Sequence, residues 1–206
     1  MKTALRTLDH FSLAVNNQTV CGCNQDWYPT IWQRKAGCGP TTASNLLIYH
    51  LRAGHLPMTR PLRSKEDGLY LMETVWRHVT PTAMGVHTPE HFEKGLQSFL
   101  GANNLSAQTR SLPVHHRPSQ RPPFAAVVAF IRSGLALDGP VAFLNLHNGT
   151  VHQLDPWHWV TITAINERNE AAVEIEICDN LNRFTMDLRE WYETTSRGGG
   201  FVYLVV

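Results

Sequence analysis

At Gly139-Pro140 the hydrophobic pattern of this 206-residue chain changes period. Before that point, apolar residues recur at helical spacing. Ala43, Leu46, Leu47 and Leu51 follow Pro40-Thr41, and Pro40 suits a first helical turn because its missing N–H needs no partner there. Ser64-Lys65-Glu66-Asp67 reads as a capping box leading into Leu69, Met72, Val75, Trp76 and Val79. Thr88-Pro89-Glu90 opens a further helix through Phe92, Leu96 and Phe99 to Gly101, and Phe124 to Leu135 reads as a strongly apolar one. The Pro- and Arg-rich stretch between Ser111 and Pro123 is expected to be an exposed loop.

After Gly139-Pro140 the runs are short and β-rich: Val141 to Leu146, His158 to Ile165, Ala171 to Cys178 and Phe201 to Val206. Turns are expected at Asn148-Gly149 and from Asn166 to Glu170, and Asp187 should cap a short helix containing Trp191 and Tyr192. Helices first and an antiparallel sheet last is an α+β order, unlike the strict alternation of a Rossmann-like chain. The length fits a single domain, 1–206, with an irregular N-terminal arm over 1–36, helices over 37–138 and the sheet over 139–206.

Eighteen Lys and Arg against 17 Asp and Glu leave a formal net charge of +1, so no field gathers phosphates, and nucleic acid is not an expected partner. Met1 to Val15 is interrupted by Arg6, Asp9 and His10 and lacks the apolar stretch of a secretory signal. No later run approaches the ~20 apolar residues of a membrane span. The expected setting is cytoplasmic, where Cys21, Cys23, Cys38 and Cys178 stay thiols. The Cys21-Gly22-Cys23 spacing is too tight for an ordinary zinc pair and the 11 histidines are scattered, so neither metal nor cofactor is expected.

Among the thiols, Cys38 stands out. It lies at the start of a helix between Gly37 and Gly39, where the helix N-terminus favours thiolate, and glycine on either side would let substrate approach the backbone. His158 begins an apolar strand, and the next strand ends in Cys178-Asp179-Asn180. If the two strands form a hairpin, an acid or amide emerges beside the imidazole and holds its tautomer. Asp179 is preferred over Asn180 because it stands first after the strand. Gln33, five residues before Cys38, could share an oxyanion hole with the Cys38 backbone N–H. Trp32 and Trp157 are candidate substrate walls, whereas alternation turns Trp159 inward.

Gln33, Cys38-Gly39-Pro40-Thr41-Thr42-Ala43, His158-Trp159-Val160 and Asp179, in that order, resemble the papain-like superfamily. More narrowly, the chain is similar to its bacterial branch related to the peptidases that remove double-glycine leaders from bacteriocins. The resemblance covers Gln33 to the C-terminus, including the apolar helix before Gly139-Pro140-Val141; Arg52 to Pro123 matches no pattern of that branch. It implies a helical lobe packed on an antiparallel sheet lobe, with the active site in the cleft between them. Residue by residue it implies Cys38 as nucleophile, His158 as general base and acid, Asp179 as orienting group and Gln33 as oxyanion donor. The implied activity is that of a cysteine hydrolase on a peptide or amide substrate. Acyl transfer on the same site, or a silent binding protein with the same fold, are the alternatives. No transporter or membrane segment accompanies the motif, so processing coupled to export does not follow.

Overall fold

A computed structural model describes residues 1–168 and 172–206. Among these residues the chain forms six α-helices and a mainly antiparallel sheet, an α+β architecture. The helices are α1 (Ile31–Ala36), α2 (Cys38–Arg52), α3 (Lys65–Trp76), α4 (Pro89–Ala102), α5 (Phe124–Ala136) and α6 (Leu188–Thr194). The strands are β1 (Lys2–Ala4), β2 (Ser12–Val15), β3 (Gln18–Cys21), β4 (Gln108–Val114), β5 (Val141–Asn145), β6 (His158–Glu167), β7 (Val173–Asp179), β8 (Asn182–Asp187) and β9 (Gly199–Val205).

The main sheet runs β4-β9-β5-β6-β7-β8, every pair antiparallel, while β2 and β3 form a separate hairpin. At ten residues, β6 is longer than β5, whose pairing ends at Val141 opposite Ile162; β1 takes over that edge, with Thr3 opposite Ile165. The sheet is buried on both faces, and alternation divides its side chains between two cores. Ala142, Leu144, Trp159, Val202 and Leu204 join the core built on α2, α3 and α4. Val141, Phe143, Val160, Ile162, Phe201 and Tyr203 join the opposite core with α5 and α6. The chain is thus layered helix, sheet, helix. Gly134 in α5 lets that helix lie close on the sheet, since a Cβ there would sit 2.7 Å from Val141 Cγ2 and 2.9 Å from Tyr203 Cγ.

The predicted caps are present. Ser64 and Asp67 form the capping box of α3, Thr88 Oγ1 accepts from the His91 N–H with Pro89 at N1 of α4, and Asp187 Oδ1 accepts from the N–H groups of Arg189 and Glu190 in α6. Several expectations need correction. The stretch after Ser111 is not loop throughout: β4 reaches Val114 and pairs with β9 along the sheet edge, where Pro113 is tolerated because an edge strand has a free side. Glu93 on α4 fixes it there, accepting hydrogen bonds from the hydroxyls of Thr109 and Ser111 at 2.7 Å each. The arm over 1–36, expected to be ordered but irregular, contains β1, β2, β3 and α1. β8 lies in a stretch with no strand expectation, and α5, counted with the helical part, packs on the far face of the sheet from α2. The expected turn from Asn166 to Glu170 and the strand start at Ala171 fall partly outside the described residues; what is described has β6 continuing to Glu167 and β7 beginning at Val173. No helix of the described residues is long and apolar enough to cross a membrane.

Candidate functional site

Cys38 is the first residue of α2, a helix buried from Gly39 to His50. Burying so much of one helix favours small side chains and paired polar ones; Ser44 and Asn45 are paired, while Thr41 Oγ1 and His50 Nε2 have no hydrogen-bond partner among the described residues. Ala43 is fully enclosed, and Ser44 Oγ donates to the Pro40 carbonyl at 2.8 Å. Asn45 connects the helix in two directions: its Oδ1 accepts from the Cys23 N–H at 2.8 Å, and its Nδ2 donates to Thr161 Oγ1 on β6 at 3.3 Å. That last bond spans the interface between α2 and the strand that carries His158.

His158 is 8% exposed. Its Nε2 lies 2.9 Å from Asp179 Oδ1, and the Cys38 thiol is near enough to act on the protonation of the ring. Burial opposes a charge on the ring, but the hydrogen bonds and charges of Asp179 and Cys38 outweigh it and raise the His158 pKa to about 10. Asp179 reaches the imidazole because the β6–β7 pairing sets Cys178 opposite Thr161, so the strand end emerges beside the start of β6. Asn180 turns away with a positive φ of 43°, and its Oδ1 accepts from the Gln25 N–H at 3.0 Å.

Gln33 completes the capping box of α1: Gln33 Oε1 accepts from Thr30 Oγ1 at 3.0 Å, and the Gln33 N–H donates to the same hydroxyl at 3.2 Å. The cap engages the amide oxygen, and the side-chain NH₂ has no hydrogen-bond partner among the described residues. At the two glycines the structure shows close packing. A Cβ on Gly37 would meet the Gln33 carbonyl at 2.4 Å and Tyr28 Cε2 at 2.7 Å, and one on Gly39 would meet Val86 Cβ at 2.8 Å. Neither glycine borders the recess beside Cys38.

That recess, about 210 Å³, is lined chiefly by Trp32, Met84, Val86, Leu144 and Trp157 together with Cys38; Lys35 is its one ionisable wall besides the thiol. Trp32 is 49% exposed, Met84 54% and Trp157 38%, an apolar concentration on the surface around a single thiol. Trp157 takes a left-handed φ of 59°, unfavourable for a bulky residue, and donates its indole N–H to the Met84 carbonyl at 2.9 Å. Two residues on, Trp159 is 1% exposed, stacks on Phe92 at 4.3 Å and donates to the Val86 carbonyl at 2.6 Å. The two indoles thus fasten the 82–86 turn to the start of β6 on either side of His158. Sequence reasoning missed this turn. Its signal was weak, since only Gly85, at φ 73°, marks a turn within Pro81-Thr82-Ala83-Met84-Gly85.

Cys21 and Cys23 diverge. Cys23 is buried in the core with α3, where burial pushes its thiol far above the ordinary range. Cys21 faces Cys178 instead. No family model matches the chain, and no curated protein matches its sequence.

Proposed function

We propose that the chain is a papain-like cysteine hydrolase that cleaves peptide or amide bonds through an acyl-enzyme, in a cleft between the α2 side and the β6 end of the sheet. The observation that carries this reading is the His158–Asp179 hydrogen bond at 2.9 Å, with the ring's protonation influenced by Cys38 at the N-terminus of a buried helix. The imidazole and the positive end of the helix dipole both lie on the Cys38 side, where negative charge develops during attack. The thiolate attacks the substrate carbonyl, the Cys38 N–H and the free NH₂ of Gln33 receive the oxyanion, and His158 Nδ1–H protonates the leaving amine. Water, deprotonated by the now neutral His158, then releases the acid. Asp179 keeps Nε2 protonated and the ring in place throughout.

The recess supports an apolar substrate group next to the scissile bond, with Trp32 and Trp157 as its walls. The balanced charge supports a substrate other than nucleic acid.

An electrophilic peptide probe carrying an aromatic side chain, followed by peptide mapping, tests the assignment. Cys38 is expected to take the label, and Cys38→Ala to abolish both labelling and turnover while the melting temperature stays within a few degrees, because Cys and Ala differ little in buried surface. Cys21 is the competitor to watch, being half-buried with a thiol pKa lowered by the hydrogen bond from Cys178. Equal labelling of Cys21 and Cys38 by the peptide probe would remove the hydrolase reading.

A further inference from the structure

The Cys38 site leaves a second thiol feature unused. Cys21, the last residue of β3, and Cys178, near the end of β7, are 157 positions apart in sequence, yet their sulfurs lie 2.8 Å apart. That is closer than two non-bonded sulfurs rest, and Cys178 Sγ also sits 3.1 Å from the Cys21 carbonyl. The backbones are registered as well, with an isolated antiparallel bridge joining Cys21 to Leu181. The two thiols differ in access. Cys178 is 1% exposed, whereas Cys21 opens on a surface recess of about 320 Å³ bordered by Leu8, Asp9, Thr19, Leu181 and Arg183. Cys178 donates its S–H to Cys21, so the exposed sulfur is the one that receives the hydrogen bond and carries the thiolate character.

We propose that Cys21 and Cys178 are a redox modification site, a dithiol that a small-molecule disulfide such as oxidised glutathione converts to an intramolecular disulfide. The Cys21 thiolate attacks one glutathione sulfur, forming a mixed disulfide and expelling the first glutathione as thiolate. Cys178 then loses its proton and attacks the Cys21 sulfur, forming the Cys21–Cys178 bond and expelling the second glutathione. Two protein thiols are oxidised, one glutathione disulfide is reduced to two thiols, and the protons pass to those leaving thiolates. The bond ties the N-terminal arm to the residue preceding Asp179, beside the point where the Gln25 N–H already holds Asn180. Oxidation therefore restrains the end of β7, which presents the His158 partner.

The test uses the full chain carrying Cys38→Ala, so that its outcome is independent of turnover and of any role for Cys38. Treatment with excess oxidised glutathione is expected to lower the mass by about 2 Da and to leave one thiol titratable after denaturation. Peptide mapping should then link the Cys21 and Cys178 peptides. Adding Cys23→Ser preserves the link, and adding Cys21→Ser abolishes it; the latter change is at the less buried partner, so the test does not depend on Cys178 variants folding. Closing so long a loop should raise the melting temperature by about 5–15 °C relative to the reduced protein. A stable glutathione adduct without cross-link, a link through Cys23, or an unchanged mass overturns the proposal.

Discussion

His158 has the most consequential surroundings of any single residue. Its ring is buried, which by itself would disfavour the charged form, and the hydrogen bond from Nε2 to Asp179 together with the influence of Cys38 outweighs that. Removing the carboxylate should therefore act on protonation as well as on orientation. Asp179→Ala is expected to lower kcat/KM by roughly 10²–10⁴, the range associated with losing the orienting group of a triad. Asp179→Asn can still accept from Nε2–H and should lose less. In both variants the alkaline limb of the pH–rate profile, set in the wild type near the His158 pKa of about 10, should move to lower pH. An unmoved alkaline limb would show that His158 is not the proton donor to the leaving group.

At the scale of elements, the start of β6 carries His158 between two tryptophans with different tasks. Trp159 is buried against Phe92 and holds the Val86 carbonyl, so Trp159→Ala is expected to cost about 3–5 kcal/mol in urea unfolding, as for other large aromatic truncations. Trp157 is a third exposed and keeps an unfavourable left-handed backbone while lining the recess. Trp157→Ala should cost less stability than Trp159→Ala, because more of its indole already faces water. Its effect should instead appear as a raised KM for substrates with a large apolar group. The opposite assignment, with Trp157→Ala unfolding the protein and leaving KM unchanged, would make that residue a structural strap alone.

For the whole molecule, the His158 contacts link stability to pH. The folded-state pKa of about 10 lies above the ordinary value near 6.5, so the protonated ring stabilises the fold fully below about pH 6.5. That contribution fades as pH rises toward 10. The stability difference between wild type and Asp179→Ala should accordingly be largest on the acid side of this window and shrink across it, measured by denaturant unfolding at fixed ionic strength. A difference constant from pH 6 to 10 would mean that the His158 charge is not coupled to folding. The layered arrangement explains why one contact matters at this scale. Asn45 ties α2 to β6, so the thiol and the imidazole are carried by two elements packed directly on each other.

Much of this was legible in the linear chain. The capping residues Ser64, Thr88 and Asp187 were readable because a cap is a local hydrogen bond between near neighbours. The same holds for the apolar runs of β5, β6 and β9, which are buried along most of their length, and for the period-two alternation of β7. β4 and β8 were not readable, because edge strands with Arg110, Pro113, Asn182 and Arg183 lack that signature and exist only through their partners. The residue types and order of Cys38, His158 and Asp179 were visible in advance. Their meeting was not, since it depends on the register of β6 with β7 and the packing of α2 on β6. The Cys21–Cys178 contact and the part of the apolar recess formed by Met84, Val86 and Leu144 belong to the tertiary structure. Each joins residues far apart in sequence, and no local propensity encodes a contact whose existence depends on how distant elements pack.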